Sequence, residues 1–386
     1  MFSEFKSAGR SIENVYIFIS DALRWSALPE SMRDRGMTFK TVASGCATMK
    51  AVSSIVSGVY PPKHGVVTWR DRLSLDTLFD IPGLSSGFFD GAAGEYGGLS
   101  QVLGQESADT LDEIEPPFFY LERDAGGHAP YGEYTYDEMI QEVESTRSTL
   151  QSYYDREIEQ SVERFDARLD LLTERGLLDD TLVIFLGDHG ELLGEYGLVS
   201  HTSPPVPELV YVPTIFFHPE LPTDLQSETI GHVDVAPTIR SLLDVAGPQH
   251  ADDGVNLCSE QPGVRYNDAG HYLKLRGRRI PVYQAAGVWD GDGGHVFTQR
   301  GTFMGPILGY RKGQGWNRAY WQRNPKTILG AIRRYLFRHT TYGSPNFSKS
   351  VADSAVTRIR NTDATAERME IEDEVQQQLE DLGYRT

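Results

Sequence analysis

The sequence predicts an α/β fold built on a parallel-type central sheet, and three features carry that prediction. Asn14–Ser20 and Thr181–Leu186 are short, unbroken apolar runs, the composition of strands buried on both faces. Each run ends at a carboxylate, Asp21 directly after Ser20 and Asp188 after Gly187. Between them Ile158, Val162, Phe165, Leu169 and Leu172 recur at spacings of three and four, the buried face of a helix that packs on a sheet. In open α/β sheets ligands collect just beyond the carboxyl ends of the strands, so the two aspartates mark a prospective site. His189 follows Asp188 at once, and a carboxylate beside an imidazole at such a rim is able to hold a divalent cation.

Composition bounds the rest. At 386 residues with 39% hydrophobic content, the chain is long enough for a large core. We expect one α/β domain over residues 1–386, with a catalytic core at about 12–250 and a C-terminal subdomain at about 251–386. The net charge of −19 opposes nonspecific binding to nucleic acid or anionic lipid. Lysine is scarce, with none between Lys63 and Lys274, which resembles proteins of salt-loving archaea. Cys46 and Cys258 cannot build a disulfide framework. The first fourteen residues lack an apolar signal-peptide core, and no run of about 18 apolar residues predicts an integral membrane segment. A cytoplasmic protein is the expectation.

In chain order, Asp21 either lines the rim or caps the turn that follows. Ala51–Ser57 is small and apolar, a tightly packed helix that opens near Thr48 and stops at Gly58. A hydroxyl at a helix N-terminus sits where an oxyanion is best tolerated, though Thr48 is equally suited to be a plain cap. Ser85–Asp90 and Pro117–Glu122 are further strands, separated by a glycine-rich loop from Gly91. The second ends in Arg123-Asp124-Ala-Gly-Gly-His128, again at a strand end, which favours Asp124 and His128 as site residues over a simple exposed turn. A long helical region from Tyr136 to Gly176 leads into the strand before Asp188. Val210–Phe217 is a strand, and His232–Gly247 a helix with Asp234 as its N-cap and Pro237 in its first turn. Arg265–Arg300 alternates into short strands, including one with His295. Basic residues from Arg311 to Arg338 either border an anionic substrate or neutralise nearby acids.

Ser57-Gly58-Val-Tyr60-Pro61-Pro-Lys-His64-Gly65 resembles the sulfatase-like branch of the alkaline phosphatase superfamily. So do His128-Ala-Pro130-Tyr131, the segment through Asp188-His189-Gly-Glu, and Asp234-Val-Ala-Pro237-Thr. The resemblance spans most of the chain and implies a large, mostly parallel central sheet flanked by helices, with a small antiparallel C-terminal sheet. It also implies a helix over Arg70–Pro82 and an amphipathic helix closing the chain from Ala366. Counting back along the nucleophile motif C/S-x-P-S-R places its nucleophile on Thr48, two residues after Cys46. Lys50 stands at the motif's Pro and Val52 at its Arg. Sulfatases convert that Cys or Ser to formylglycine. A threonine cannot be converted in this way and is similar instead to the family's enzymes that attack phosphorus directly.

The resemblance therefore implies a metal-dependent hydrolase of phosphate mono- or diesters with Thr48 as nucleophile. A sulfatase, a phosphoryl transferase and a non-catalytic metal scaffold are the competing readings. Asp21, Thr48, Asp188 and His189 would hold one divalent ion, and Zn or Mn suits the mixed oxygen and nitrogen donors better than Ca or Mg. Asp124 and His128, with His201 or His295, would hold a second. In a one-ion version His128 and His201 contact the substrate directly. The substrate would be a small-molecule, glycan-linked or lipid-linked phosphate or sulfate ester, with no nucleic acid involved.

Overall fold

The structure is a computed structural model. It describes Phe5, Gly9 and residues 11–368, apart from 93–97, 133, 135–138, 140–145, 202, 276–277, 301–314 and 363. The strands in chain order are β1 (Asn14–Ser20), β2 (Met37–Val42), β3 (Asp71–Arg72), β4 (Ser85–Asp90), β5 (Phe118–Asp124), β6 (Thr181–Gly187) and β7 (Tyr211–Phe217). They continue with β8 (Leu225–Gly231), β9 (Arg265–Leu275), β10 (Arg278–Trp289), β11 (Gly293–Arg300), β12 (His339–Gly343) and β13 (Glu367–Arg368). Helices used below are α1 (Thr48–Ser57), α2 (Arg147–Glu174), α3 (Val235–Leu242), α4 (Gly315–Arg323), α5 (Ile328–Leu336) and α6 (Lys349–Arg360).

Seven strands form the central sheet in the order β4-β5-β1-β6-β7-β2-β8. Only β7 runs against its neighbours, pairing antiparallel with β6 and β2. The apolar runs behave as their composition requires: every residue of β1, β5 and β6 is buried. One face of the sheet packs on a core that includes α1 and α3, and the other on α2. Phe165 of α2 lies against Phe18 and Phe185, with ring centroids 5.4 and 4.9 Å away. Ile158 and Leu172 on the same helical face are buried, while Val162 and Leu169 are partly covered.

A second, all-antiparallel sheet orders as β12-β11-β10-β9. It adjoins the central sheet through β9, where Cys46 N–H donates to Asp268 O and Asn267 Nδ2 to Ala43 O. Arg70–Pro82 is not a helix: it contains β3 and a single 3₁₀ turn at Leu78–Asp80, capped by Thr77. β3 pairs with β13, and Leu73 N–H donates to Val102 O, so this segment's backbone is engaged in extended pairing. The predicted closing helix lies largely outside the described residues, as do Arg311 and Lys312 of the basic stretch. No helix among the described residues is long and apolar enough to cross a membrane.

Candidate active site

Parallel pairing brings the first two carboxylates together. Ser20 is in register with Gly187, so Asp21 and Asp188 leave adjacent strands at the same level. Helix α1 delivers the third group. Its N-cap is Ala47, with extended backbone, so Thr48 opens the helix at its positive end, and Gly58 closes it in the left-handed region. Thr48 Oγ1 donates to Asp21 Oδ2 at 3.4 Å and lies 3.3 Å from His189 Nε2. That nitrogen is 3.6 Å from Asp21 Oδ1 and 3.6 Å from Asp188 Oδ2. His189 Nδ1 lies 2.9 Å from the Gly190 carbonyl. A carbonyl only accepts, so Nδ1 carries a proton, and in the neutral ring Nε2 turns its lone pair inward.

Two oxygens in this cluster test its fit to an ion. Asp21 Oδ1 and Asp188 Oδ2 are buried without a hydrogen-bond partner, although their companion oxygens are satisfied. Asp188 Oδ1 accepts from the Ala22 and His189 amides at 3.0 and 2.8 Å, and Asp21 Oδ2 from Arg123 Nε at 2.9 Å. Leaving two carboxylate oxygens bare in the interior is expensive unless a cation lies between them. Asp21, Asp188 and His189 offer ligand atoms all within 4.8 Å of one another. The donor set fits a divalent cation.

A second cluster adjoins it, formed by His128, Glu191 and His201, also within 4.8 Å of one another. The turn after β5 places His128 there. Gly127 N–H donates to Asp21 O at 2.7 Å, and a side chain at Gly126, where φ is +51°, would strike the Asp21 backbone. Glu191 Oε2 lies 3.4 Å from His201 Nδ1, and the His201 ring stands 4.5 Å from His189 and 5.2 Å from His128 by centroids. Glu191 was not singled out from sequence. Its only signal is a place two residues beyond His189 on the same loop.

Asp124 does not join either cluster. It faces Ser20 in the register, one position short of Asp21, and Arg164 Nε and Nη2 engage its two oxygens at 2.5 and 2.9 Å. His295 stays in the second sheet, stacked on His339 with its Nε2 3.2 Å from Phe347 O. Asp234 is the N-cap residue of α3 by position, but its carboxylate accepts from Gly231, Val255 and Arg265. His232 ties Ser44 N–H to the Gly187 carbonyl beneath the site, a purely structural bridge.

Electrostatics separate these groups further. Burial pushes the Asp21 carboxyl upward, but Arg123, His128 and His189 outweigh it and hold it below the ordinary range. Burial and the Asp21 charge raise Asp188. His128 is lowered by burial to about 4, while His201, also opposed by burial, is raised by its bond to Glu191. Arg123 also bridges to Asp90 Oδ1 at 2.9 Å, linking three strand ends through one guanidinium. Cys46 Sγ is turned to Asn267 Oδ1 at 3.3 Å, and burial pushes its thiol up to about 12. Lys50, where the motif has proline, is buried with Nζ 2.7 Å from Asp268 Oδ2, and Val52 is core.

With this geometry in view, five likenesses bear on identity. A sulfatase family model matches residues 63–245, a span that begins after Asp21 and Thr48. The low-salt glycan biosynthesis sulfotransferase Agl7 of the halophilic archaeon Haloferax volcanii is 37% identical over 324 residues, 77% of this chain and 78% of its own. The lipoteichoic acid synthase-like YvgJ of Bacillus subtilis is 26% identical over 209 residues, 49% of this chain but 32% of its own. Among solved structures, a 2-O GAG sulfatase superposes with a TM-score of 0.60 at 14% identity, covering 91% of this chain and 93% of that one. The phosphonate monoester hydrolase of Agrobacterium radiobacter gives 0.56 at 13% identity, over 84% and 96%. The structural likenesses speak for the fold, and the longer sequence match carries the relationship. The chain belongs to the sulfatase family, on the alkaline-phosphatase-like fold.

Proposed function

We propose that this chain is a metal-dependent enzyme that cleaves phosphate esters through a covalent intermediate on Thr48. The observation that carries this reading is the meeting of the Thr48 hydroxyl with Asp21 and His189 beside two bare carboxylate oxygens. Asp21, Asp188, His189 and Thr48 would hold a divalent ion, with Zn or Mn suiting these donors. When bound, that ion supplies the positive charge that lowers the pKa of a hydroxyl and offsets charge on ester oxygens.

The chain's own residues do the remaining work. Thr48 Oγ1, its proton directed at Asp21 Oδ2, attacks phosphorus in line as the ester P–O bond breaks. Its seat at the opening of α1 sets the phosphoryl oxygens against the positive end of the helix dipole. Glu191 orients His201 through Nδ1 and favours its charged form, which suits it to protonate the departing oxygen. Water then attacks the phosphothreonine as its P–O bond breaks, His201 takes one proton from the water, and the proton that Thr48 gave to Asp21 Oδ2 returns to Oγ1.

A second reading has its own support. The Haloferax relative is named a sulfotransferase of glycan biosynthesis, which favours a sulfuryl or phosphoryl group passing to a sugar hydroxyl instead of to water. The same residues serve both, since the acceptor hydroxyl takes the place of water. Incubating the enzyme with aryl phosphate, bis-aryl phosphate and aryl sulfate, with Mn²⁺ or Zn²⁺ and with or without a sugar acceptor, separates the readings. Release of phenol from the phosphates alone supports the first. Acceptor-dependent release, from a phosphate or from the sulfate, supports the second, whereas acceptor-independent release from the sulfate marks sulfuric-ester hydrolysis instead. No release from any ester under any metal would overturn both.

A further inference from the structure

The net charge of −19 is unevenly distributed. No Asp or Glu occurs between Asp292 and Asp353, a stretch that carries Arg323, Lys326, Arg333, Arg334 and Arg338. The same stretch holds three of the five large hydrophobic side chains that stand exposed among the described residues: Leu329 at 77%, Phe337 at 48% and Leu336 at 42%.

Helix α5 shows how this comes about. Ala331 and Tyr335 point inward and are buried in the core beneath, with Ile328 partly covered. Leu329, Arg333 and Leu336 follow one another at helical spacing and form the outer stripe. On an ordinary surface helix that stripe would be wholly polar. Here the Arg333 guanidinium lies over the Phe337 ring, 5.4 Å from its centroid, so cations and apolar groups make one patch. Arg323, Lys326 and Arg338 are exposed around it.

The patch is coupled to the active site through the backbone. Trp321 Nε1 donates to Gly197 O at 2.6 Å, and Asn317 exchanges hydrogen bonds of 2.9 and 3.1 Å with Val199. Gly330 packs against the Tyr196 carbonyl. Helices α4 and α5 therefore rest on the loop that carries Glu191 and His201.

We propose that this face docks on an anionic lipid bilayer. Leu329, Leu336 and Phe337 enter the boundary between headgroups and acyl chains, while Arg323, Lys326, Arg333 and Arg338 meet lipid phosphates. Resting on the reading of Thr48 as the nucleophile, docking brings the site to an ester presented from a lipid anchor. A second copy of the chain is a poor occupant, because two-fold pairing of this face sets its arginines against one another. Nucleic acid would satisfy the cations but offers its phosphate backbone, not an apolar layer, to the leucines and phenylalanine.

Vesicle flotation tests this with the whole chain, at a salt concentration where circular dichroism shows it folded. Vesicles of phosphatidylglycerol and of phosphatidylcholine are compared, for wild type, the triple variant L329S/L336S/F337S and the charge variant R323Q/R333Q/R338Q. Wild type should float with the anionic vesicles and far less with the neutral ones. The apolar variant should lose binding, and the charge variant should lose on the order of fivefold per cation at low ionic strength. Both should keep wild-type turnover of a soluble aryl ester if one is turned over at all, so the docking result is read independently of the catalytic one. Wild type left unbound by anionic vesicles overturns the proposal. So does undiminished flotation of both variants, tighter retention on single-stranded DNA than on vesicles, or a wild-type dimer that dissociates in the triple variant without any flotation.

Discussion

The two clusters at the strand ends differ in construction, and the difference suggests a division of labour. Asp21, Asp188 and His189 are wholly buried, and two of them leave strands whose register is fixed by continuous parallel pairing. Asp21 Oδ1 and Asp188 Oδ2 are buried there without a hydrogen-bond partner, an arrangement that fits a bound cation. His128, Glu191 and His201 sit on loops, and His128 is only partly covered. Glu191 accepts from the Leu192 amide through Oε1, and its Oε2 lies 3.4 Å from His201 Nδ1. The first cluster is built like a permanent grip, and the second like a surface that meets what arrives. Paired strand ends fix the first cluster, and loops carry the second.

The sharpest way to break this comparison is at Thr48. Thr48→Ala should lower turnover on the order of 10³-fold or more while leaving metal content unchanged, as read by elemental analysis alongside kinetics. Asp188→Asn should do the reverse in order: the metal is lost first, and turnover falls with it. Next comes Arg123, whose guanidinium binds Asp90 Oδ1 and Asp21 Oδ2 while Asp21 Oδ1 stays bare. Arg123→Met leaves two buried carboxylates without their cation and should destabilise the fold by about 3–5 kcal/mol in chemical denaturation. On the loop side, Glu191→Gln should lower kcat roughly 10–100-fold with metal content intact, since it disturbs only the orientation and charge of His201. Equal loss of metal from Glu191→Gln and Asp188→Asn would erase the distinction.

The smallest effect concerns a pair behind the grip. Burial tends to raise Asp268, but Lys50 and Arg360 hold it below the ordinary range. A carboxyl depressed in the folded state contributes stability that is complete above its unfolded pKa of about 3.9 and is lost as pH falls through the folded value. Asp268→Asn should therefore flatten the loss of stability below about pH 4, measured as the urea midpoint against pH. An unchanged profile would remove this pair from the acid response.

Much of the first cluster was legible because strand composition is local. Unbroken apolar runs ending in Asp21 and Asp188 declare both the strand and its end, and Gly58 declares the end of α1. The family motif then pointed to Thr48, which opens α1 beside Asp21 and His189. The second cluster was harder to read because loop side chains are placed by tertiary partners. Nothing near Asp124 in sequence reveals that Arg164, forty residues on, would engage both of its oxygens. The same holds for Arg123, whose guanidinium reaches two other strands. Arg70–Pro82 failed for a related reason: its expected helix rested on family likeness, whereas its backbone partners are β13 and Val102. The basic stretch was visible as charge, but its exposed leucines and phenylalanine became visible only once α5 had an inside and an outside.

The most direct test of the central claim is mass spectrometry of the Thr48 peptide from enzyme quenched during turnover with metal and an aryl phosphate. A single phosphoryl group on Thr48, absent from Thr48→Ala, is the predicted result. An unmodified Thr48 peptide at full turnover, or a Thr48→Ala variant as fast as wild type, would contradict it.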